Sequence, residues 1–316
     1  ALSLDLQRRS AGNPFMLAHL LRRPESFRGR EEPRSRATIR SVDADEIAAR
    51  ALSDLSSETR RALEAASVVG LRFSVAAVAE LLQQTQEETL TRLAPAVRAQ
   101  LVHPREADLV FVHELLRDAL YARLAPLTRR NLHLSMSRHL RGRECPETHA
   151  EAIADHLVGA SPLAAREEVI EYGILAARRA VARSAYTLAR DRLRHALRLI
   201  EDDPSSSAER RGLLLLEYAR ARLYSGEREE ARSTLLEAAA IARAVESPDL
   251  LAECALAFAP DFLSIEMGVP DPALVELLEE ALDRLPEDRA SLRARLLARL
   301  CQARRWIPAA SAPTLQ

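Results

Sequence analysis

Lysine is missing altogether: all 45 basic residues of the 316-residue chain are arginine. A phosphate-binding loop of the G-x-x-x-x-G-K-[ST] type needs a lysine ammonium as a point charge on the terminal phosphates, and Schiff-base catalysis needs a lysine amine. Neither chemistry is open to this sequence. Cysteine is scarce. Cys145, Cys254 and Cys301 stand far apart with no C-x-x-C pair, as fits a reducing cytoplasm and idle or buried thiols. No apolar run approaches the ~20 residues a membrane span needs, so no membrane is expected as a partner. The net charge of -1 argues against a general nucleic-acid or anionic-surface binder. G-x-S-x-G, H-E-x-x-H and G-x-G-x-x-G are all absent. The opening Ala1-Leu2-Ser3-Leu4-Asp5 has neither a Met nor a basic-then-apolar signal pattern. Its first residues read as the middle of something, and a frame clipped from a longer one is expected.

What is present is helical periodicity, in a chain whose apolar and charged fractions are those of an ordinary folded protein. Leu17, Leu20 and Leu21 form one apolar stripe after Asn13-Pro14, a proline suited to a first helical turn. The charged run from Arg22 to Arg36, with Pro24, Gly29 and Pro33, reads as a linker. Ser56 or Ser57 can cap a helix carrying Leu63, Ala66 and Val69, which Gly70 stops. Short helices are predicted at Val75–Leu82 and Glu87–Ala99. Then the period changes. Leu101-Val102-His103, a polar turn, and Leu109-Val110-Phe111-Val112 predict a small β-hairpin. Three helices and then a hairpin is the order of a winged-helix domain, which two further helices, about His113–Leu124 and Thr128–Leu140, would close.

Beyond Cys145 the pattern repeats. Ala189-x3-Leu193-x2-Ala196 is echoed by Ala231-x3-Leu235-x2-Ala238, with Ala177 and Ala219 twelve residues ahead of each first alanine. Small residues at those places let paired helices approach closely, the packing logic of tetratricopeptide-like repeats. The offset exceeds the regular period of ~34 residues, and the excess falls in the turn from Asp202 to Ser207. A third, weaker unit uses Leu274, Leu278 and Ala281. The expected architecture is mainly α: a lid helix and charged linker over 1–40, a winged helix with one small hairpin over 41–143, and incomplete helical repeats over 144–316.

Three stretches and their order carry a family resemblance. Arg9-Ser10-Ala11-Gly12-Asn13-Pro14-Phe15-Met16-Leu17 resembles the "GGNPFFL" segment in the helical lid of STAND signal-transduction ATPases, particularly LuxR-type (MalT-like) regulators and related AAA-domain proteins. The run from Leu55-Ser56 to Val69-Gly70 is similar to their "L-S-x-x-x-R-x-x-L-x-x-A-A-V-x-G" segment. Phe111-Val112-His113-Glu114-Leu115 through Tyr121 resembles "F-x-H-x-L-x-R-x-A-x-Y", and also the His-Asp pair that ends the winged helix of NB-ARC switches, with Glu114 here in place of Asp. The likeness covers most of residues 1–200.

The resemblance implies a regulatory piece of an ATP/ADP-switched signal-transduction protein, a transcription regulator by its LuxR-type likeness. Pro14 would pack on adenine, Gly12-Asn13 would shape the turn that puts it there, and His113 would face the ADP phosphates. An imidazole at a helix N-terminus is placed where anions are already favoured. The phosphate loop, the Mg²⁺-binding acid and the catalytic acid of such proteins lie upstream of the lid. The implied first partner is therefore an ATPase core of the same chain, and this piece is not expected to be an enzyme by itself. The repeats would hold an unknown ligand or protein.

Plainer readings stand beside these. Pro14 is explained by helix initiation alone, and His113 by bridging a strand and a helix. A helical-repeat scaffold that never senses nucleotide fits the repeats, and the same switch could serve a fused cyclase or protein kinase. His133, His139, His149, His156 and Cys145 suggest a metal only weakly, since only His149 and His156 share a helical face, two turns apart. The winged helix invites DNA, but its third helix opens Gln86-Glu87-Glu88, and acids there repel phosphates.

Overall fold

The computed structural model describes Leu52 and residues 55–201, 207–258 and 271–304. Gly12, Asn13 and Pro14, with the rest of the lid segment and the charged linker, lie outside the described residues. The chain is mainly α: among the described residues there are thirteen α-helices and one three-stranded sheet. It divides into two compact units, Ala1–Ala164 and Ala165–Gln316.

The first unit begins with α1, Ser57–Val69. The Ser56 hydroxyl accepts the Thr59 N–H at 3.2 Å, satisfying one of the orphan donors of the first turn. Gly70 ends the helix at φ +148°, a conformation side-chain-bearing residues rarely adopt. Ala62, Leu63, Ala65, Ala66 and Val68 turn inward and are buried. Strand β1 (Arg72–Ser74) follows, then α2 (Val75–Leu82) and α3 (Gln86–Arg98). A capping box fixes the start of α3: the Thr85 hydroxyl accepts the Glu88 N–H, and the Glu88 carboxylate accepts the Thr85 N–H.

The expected hairpin is present as β2 (Val102–Arg105) and β3 (Asp108–Phe111). It is not alone: β1 pairs antiparallel with β3, so the order is β1-β3-β2, with Arg72 opposite Val110 and Val102 opposite Phe111. A strand of three residues is too short to show a period of two, which is why sequence pattern yields only the hairpin. Its hold is tertiary. Phe73 is buried with its ring 5.1 Å from that of Phe111, and the Arg72 guanidinium donates to Asp108 at 2.6 Å and Glu106 at 2.9 Å across the sheet.

Helices α4 (Glu114–Arg123) and α5 (Pro126–Arg141), a 3₁₀ turn (Pro146–His149) and α6 (Ala150–Ala160) complete this unit. The sequence reading divides the chain at residue 143. Helix α6 packs within the first unit, where its Ile153, Ala154, Leu157 and Ala160 are buried and its face lies against α5.

The second unit is a stack of helices: α7 (Arg166–Ala182), α8 (Tyr186–Glu201), α9 (Ala208–Tyr224), α10 (Arg228–Ala244), α11 (Pro248–Phe258), α12 (Pro272–Arg284) and α13 (Ala290–Arg304). Three-residue connections force α7 against α8 and α9 against α10 as helical hairpins. The repeated positions are where those helices meet. Ala177, Ala189, Ala219, Ala231, Leu235 and Ala238 are fully buried, and Leu193 and Ala196 nearly so. Leu274, Leu278 and Ala281 join the same core, which runs from Ile170 to Ala303. Packing is tight at Gly212 on α9, where an added Cβ would stand 2.7 Å from Leu250 Cδ2 and 3.1 Å from Ile241 Cγ2. Arginine–carboxylate pairs stitch the rims between helices, among them Arg210–Glu167, Arg178–Glu217, Arg243–Glu280 and Arg289–Asp249. Half-exposed pairs of this kind contribute at most ~1 kcal/mol each and set register more than stability.

Candidate functional site

His113 is the one sequence-predicted site residue that lies among the described ones. It follows β3 directly and is the N-cap of α4, with extended backbone (φ −148°, ψ 142°). Its Nδ1 accepts the Leu115 N–H at 3.1 Å. A neutral imidazole accepting at Nδ1 carries its proton on Nε2, so the tautomer is set by the cap. The imidazole is thus itself a capping group, rather than a side chain merely set beside open N–H groups. Glu114 follows in the exposed first turn, where a carboxylate complements the positive end of the helix.

One turn further along α4 the chemistry goes inward. Arg117 Nε donates to the Ser67 carbonyl at 2.9 Å, tying α4 to α1. Its guanidinium, and that of Arg129 on α5, each lie 5.2 Å from the centre of the Tyr121 ring. The Tyr121 hydroxyl is 2.8 Å from His133 Nε2, and His133 Nδ1 is 2.9 Å from His156 Nδ1. Three helices therefore meet in one chain of hydrogen bonds, from α4 through α5 to α6. Both imidazoles are buried, each 8% exposed. Burial pushes each pKa down to about 4, and for His133 the neighbouring His156, Arg129 and Arg117 push in the same direction. Gly159 on α6 leaves the space for the His133 ring: a Cβ there would come within 2.8 Å of Nδ1.

Sequence spacing pairs His149 with His156. The structure pairs His133 with His156 instead, because the two belong to neighbouring helices and not to one helical face. A usable signal exists in hindsight: each histidine falls on the apolar stripe of its own helix, His133 in line with Met136 and Leu140, and His156 with Ile153 and Ala160. Cys145 is exposed. Among the described residues no group of three or more His, Cys, Asp or Glu could hold a metal ion. Nor is any described helix long and apolar enough to cross a membrane.

No known protein-family model matches the chain, and no curated protein does. Among solved structures it is similar to a Signal Transduction ATPase with Numerous Domains (STAND) protein with a tetratricopeptide repeat sensor from Pyrococcus horikoshii, at 13% identity and a TM-score of 0.36. The match covers 95% of this chain and 47% of that one, so the chain spans just under half the length of that structure.

Proposed function

We propose that this chain is the regulatory part of an ATP/ADP-switched signal-transduction protein of the STAND type, serving transcription regulation. In this reading the lid segment with Gly12, Asn13 and Pro14 and a winged helix over 41–143 help clamp the nucleotide. The helical repeats bind a ligand or partner protein, and an upstream ATPase core of the same chain supplies the phosphate loop and the Mg²⁺ site. This segment binds no nucleic acid: the acids that open α3 face any approaching phosphate, and Glu88 is already committed to its own cap.

The observation that carries the reading is His113. It stands where the third resembling motif puts the phosphate-facing histidine, at the start of a ten-residue helix, and with Nδ1 accepting the cap bond a neutral ring carries its proton on Nε2. A donor at the N-terminal end of a helix suits a phosphate oxygen. Contact with ADP in the closed state and its loss in the open one would bias the closure equilibrium, with the repeats moving as a body. In this reading hydrolysis falls to the upstream core, because the phosphate loop needs a lysine that this sequence lacks.

The test replaces His113 by Ala in the full-length protein and measures ADP retention and signalling output. Faster ADP loss with altered output is expected. Unchanged retention and unchanged output together would exclude the role. A second reading, a helical-repeat scaffold for a partner protein without nucleotide sensing, rests on the continuous core from Ile170 to Ala303. It predicts that the same variant leaves both measurements untouched while substitutions in the repeats abolish partner binding.

A further inference from the structure

The Tyr121–His133–His156 chain has no part in the nucleotide reading, yet it places two buried imidazoles and a half-buried phenol in contact within the first unit. Hydrogen-bond logic limits what it can hold. Two ring nitrogens 2.9 Å apart share a single proton. Either His133 Nδ1–H donates to His156 while Tyr121 donates to His133 Nε2, or both bonds run the other way. In each scheme both imidazoles are neutral and every facing atom is paired.

Added protons meet a different outcome at each step. A first can sit on His133 with both its N–H groups paired, to Tyr121 and His156, but it makes a buried cation. The charges that bear on it are all positive: Arg117 on α4, Arg129 on α5 and His156 on α6 when that ring is charged. Helices α1 and α2 also pack on α5, and the 3₁₀ turn carrying Glu147 and His149 packs on both α5 and α6; none of them adds a charge to that set. A second proton would set N–H against N–H across 2.9 Å, which only separation of α6 from α5 relieves. Gly159 lies against the same ring, close enough that a Cβ there would come within 2.8 Å of Nδ1.

We propose that these three side chains form a proton-sensitive latch that holds α6 on α4 and α5 at neutral pH and releases it in acid. The sign follows from linkage. Well above pH 6.5, from about pH 7.5 upward, both imidazoles are neutral whether α6 is docked or free, and the latch is fully closed. As pH falls from there towards about 4, the free form binds protons that the docked form refuses, and opening becomes easier. Each histidine contributes up to about a tenfold rise in the opening constant per pH unit, so the pair contributes up to about a hundredfold.

Amide hydrogen exchange on the whole chain, corrected for intrinsic rates, reads this directly. Protection of Ala150–Ala160 is expected to fall at least tenfold more between pH 6.5 and 5 than protection of α9 and α10. His156→Gln, which can still meet His133 Nδ1 but does not titrate, is expected to cut that steepness to one proton or fewer. If that variant fails to fold, ¹⁵N imidazole spectra of the unaltered chain decide between the outcomes. Two rings that stay neutral at pH 6 and share one proton support the latch. Rings that are cationic at pH 6, or α6 protection that follows α9 and α10 across the whole range, overturn it.

Discussion

Replacing Gly159 by Ala is the sharpest probe of the buried pair, because helix propensity and packing make opposite forecasts. Alanine in a helix interior is favoured over glycine by about 1 kcal/mol, so an unobstructed site gains stability. Here the new methyl carbon would lie 2.8 Å from His133 Nδ1 and 2.9 Å from both Cδ2 and Cε1, against ordinary contact beyond 3.4 Å. The ring cannot retreat freely: Tyr121 holds its Nε2 at 2.8 Å and His156 its Nδ1 at 2.9 Å. Overpacking of this kind costs about 1–3 kcal/mol. A buried hydrogen bond lost in the adjustment adds about 1–3 kcal/mol. Packing therefore wins, and a net loss of about 3 kcal/mol is expected after the propensity gain is subtracted. Gly173 on α7 is the control, since a Cβ there meets only Ala196 Cβ at 3.9 Å. Gly173→Ala should be neutral or stabilising by up to about 1 kcal/mol. Urea unfolding followed by circular dichroism, with amide exchange assigning each transition to its unit, measures both. Equal effects for the two substitutions would refute the packing argument and with it the pinned ring.

Other outcomes follow from the second unit. Gly212→Ala should destabilise it by up to about 2 kcal/mol, the cost of a methyl entering between Leu250 and Ile241 less the propensity gain, and the midpoint of urea unfolding checks this. Cys254 is buried and its thiol is pushed up to about 12 by burial, whereas Cys145 and Cys301 are exposed. A thiol-reactive chromophore should therefore label two cysteines in the native chain and the third only on unfolding. The Arg243 guanidinium donates to both Glu280 oxygens and holds that carboxyl below its usual range. The two side chains are still 37% and 26% open to solvent, so Arg243→Ala should cost under about 1 kcal/mol, an effect that shrinks in high salt.

Much of the architecture can be read from residue order because helices advertise themselves locally. Ser56 and Gly70 bound α1 within a residue of the expected ends, since a cap and a stop act on adjacent backbone groups. The echo of Ala189, Leu193 and Ala196 by Ala231, Leu235 and Ala238 locates the close approaches of the repeat helices, all of them buried. Small residues there are a requirement of each hairpin alone. His113 is legible as well: a lone imidazole between a β-pattern and a helical one lands at the N-cap.

What sequence order could not supply depends on partners distant along the chain. Strand β1 has only three residues and exists because β3 offers it an edge and Phe111 a ring to pack on. The union of Tyr121, His133 and His156 arises only once α4, α5 and α6 are brought together, with Gly159 admitting the ring. Residue order alone determined the helices, their caps and the rhythm of the repeats, all of which are written in interactions a few residues long. Tertiary structure alone decided which histidines meet and whether they are charged, because burial and proton sharing are properties of neighbours that only folding selects.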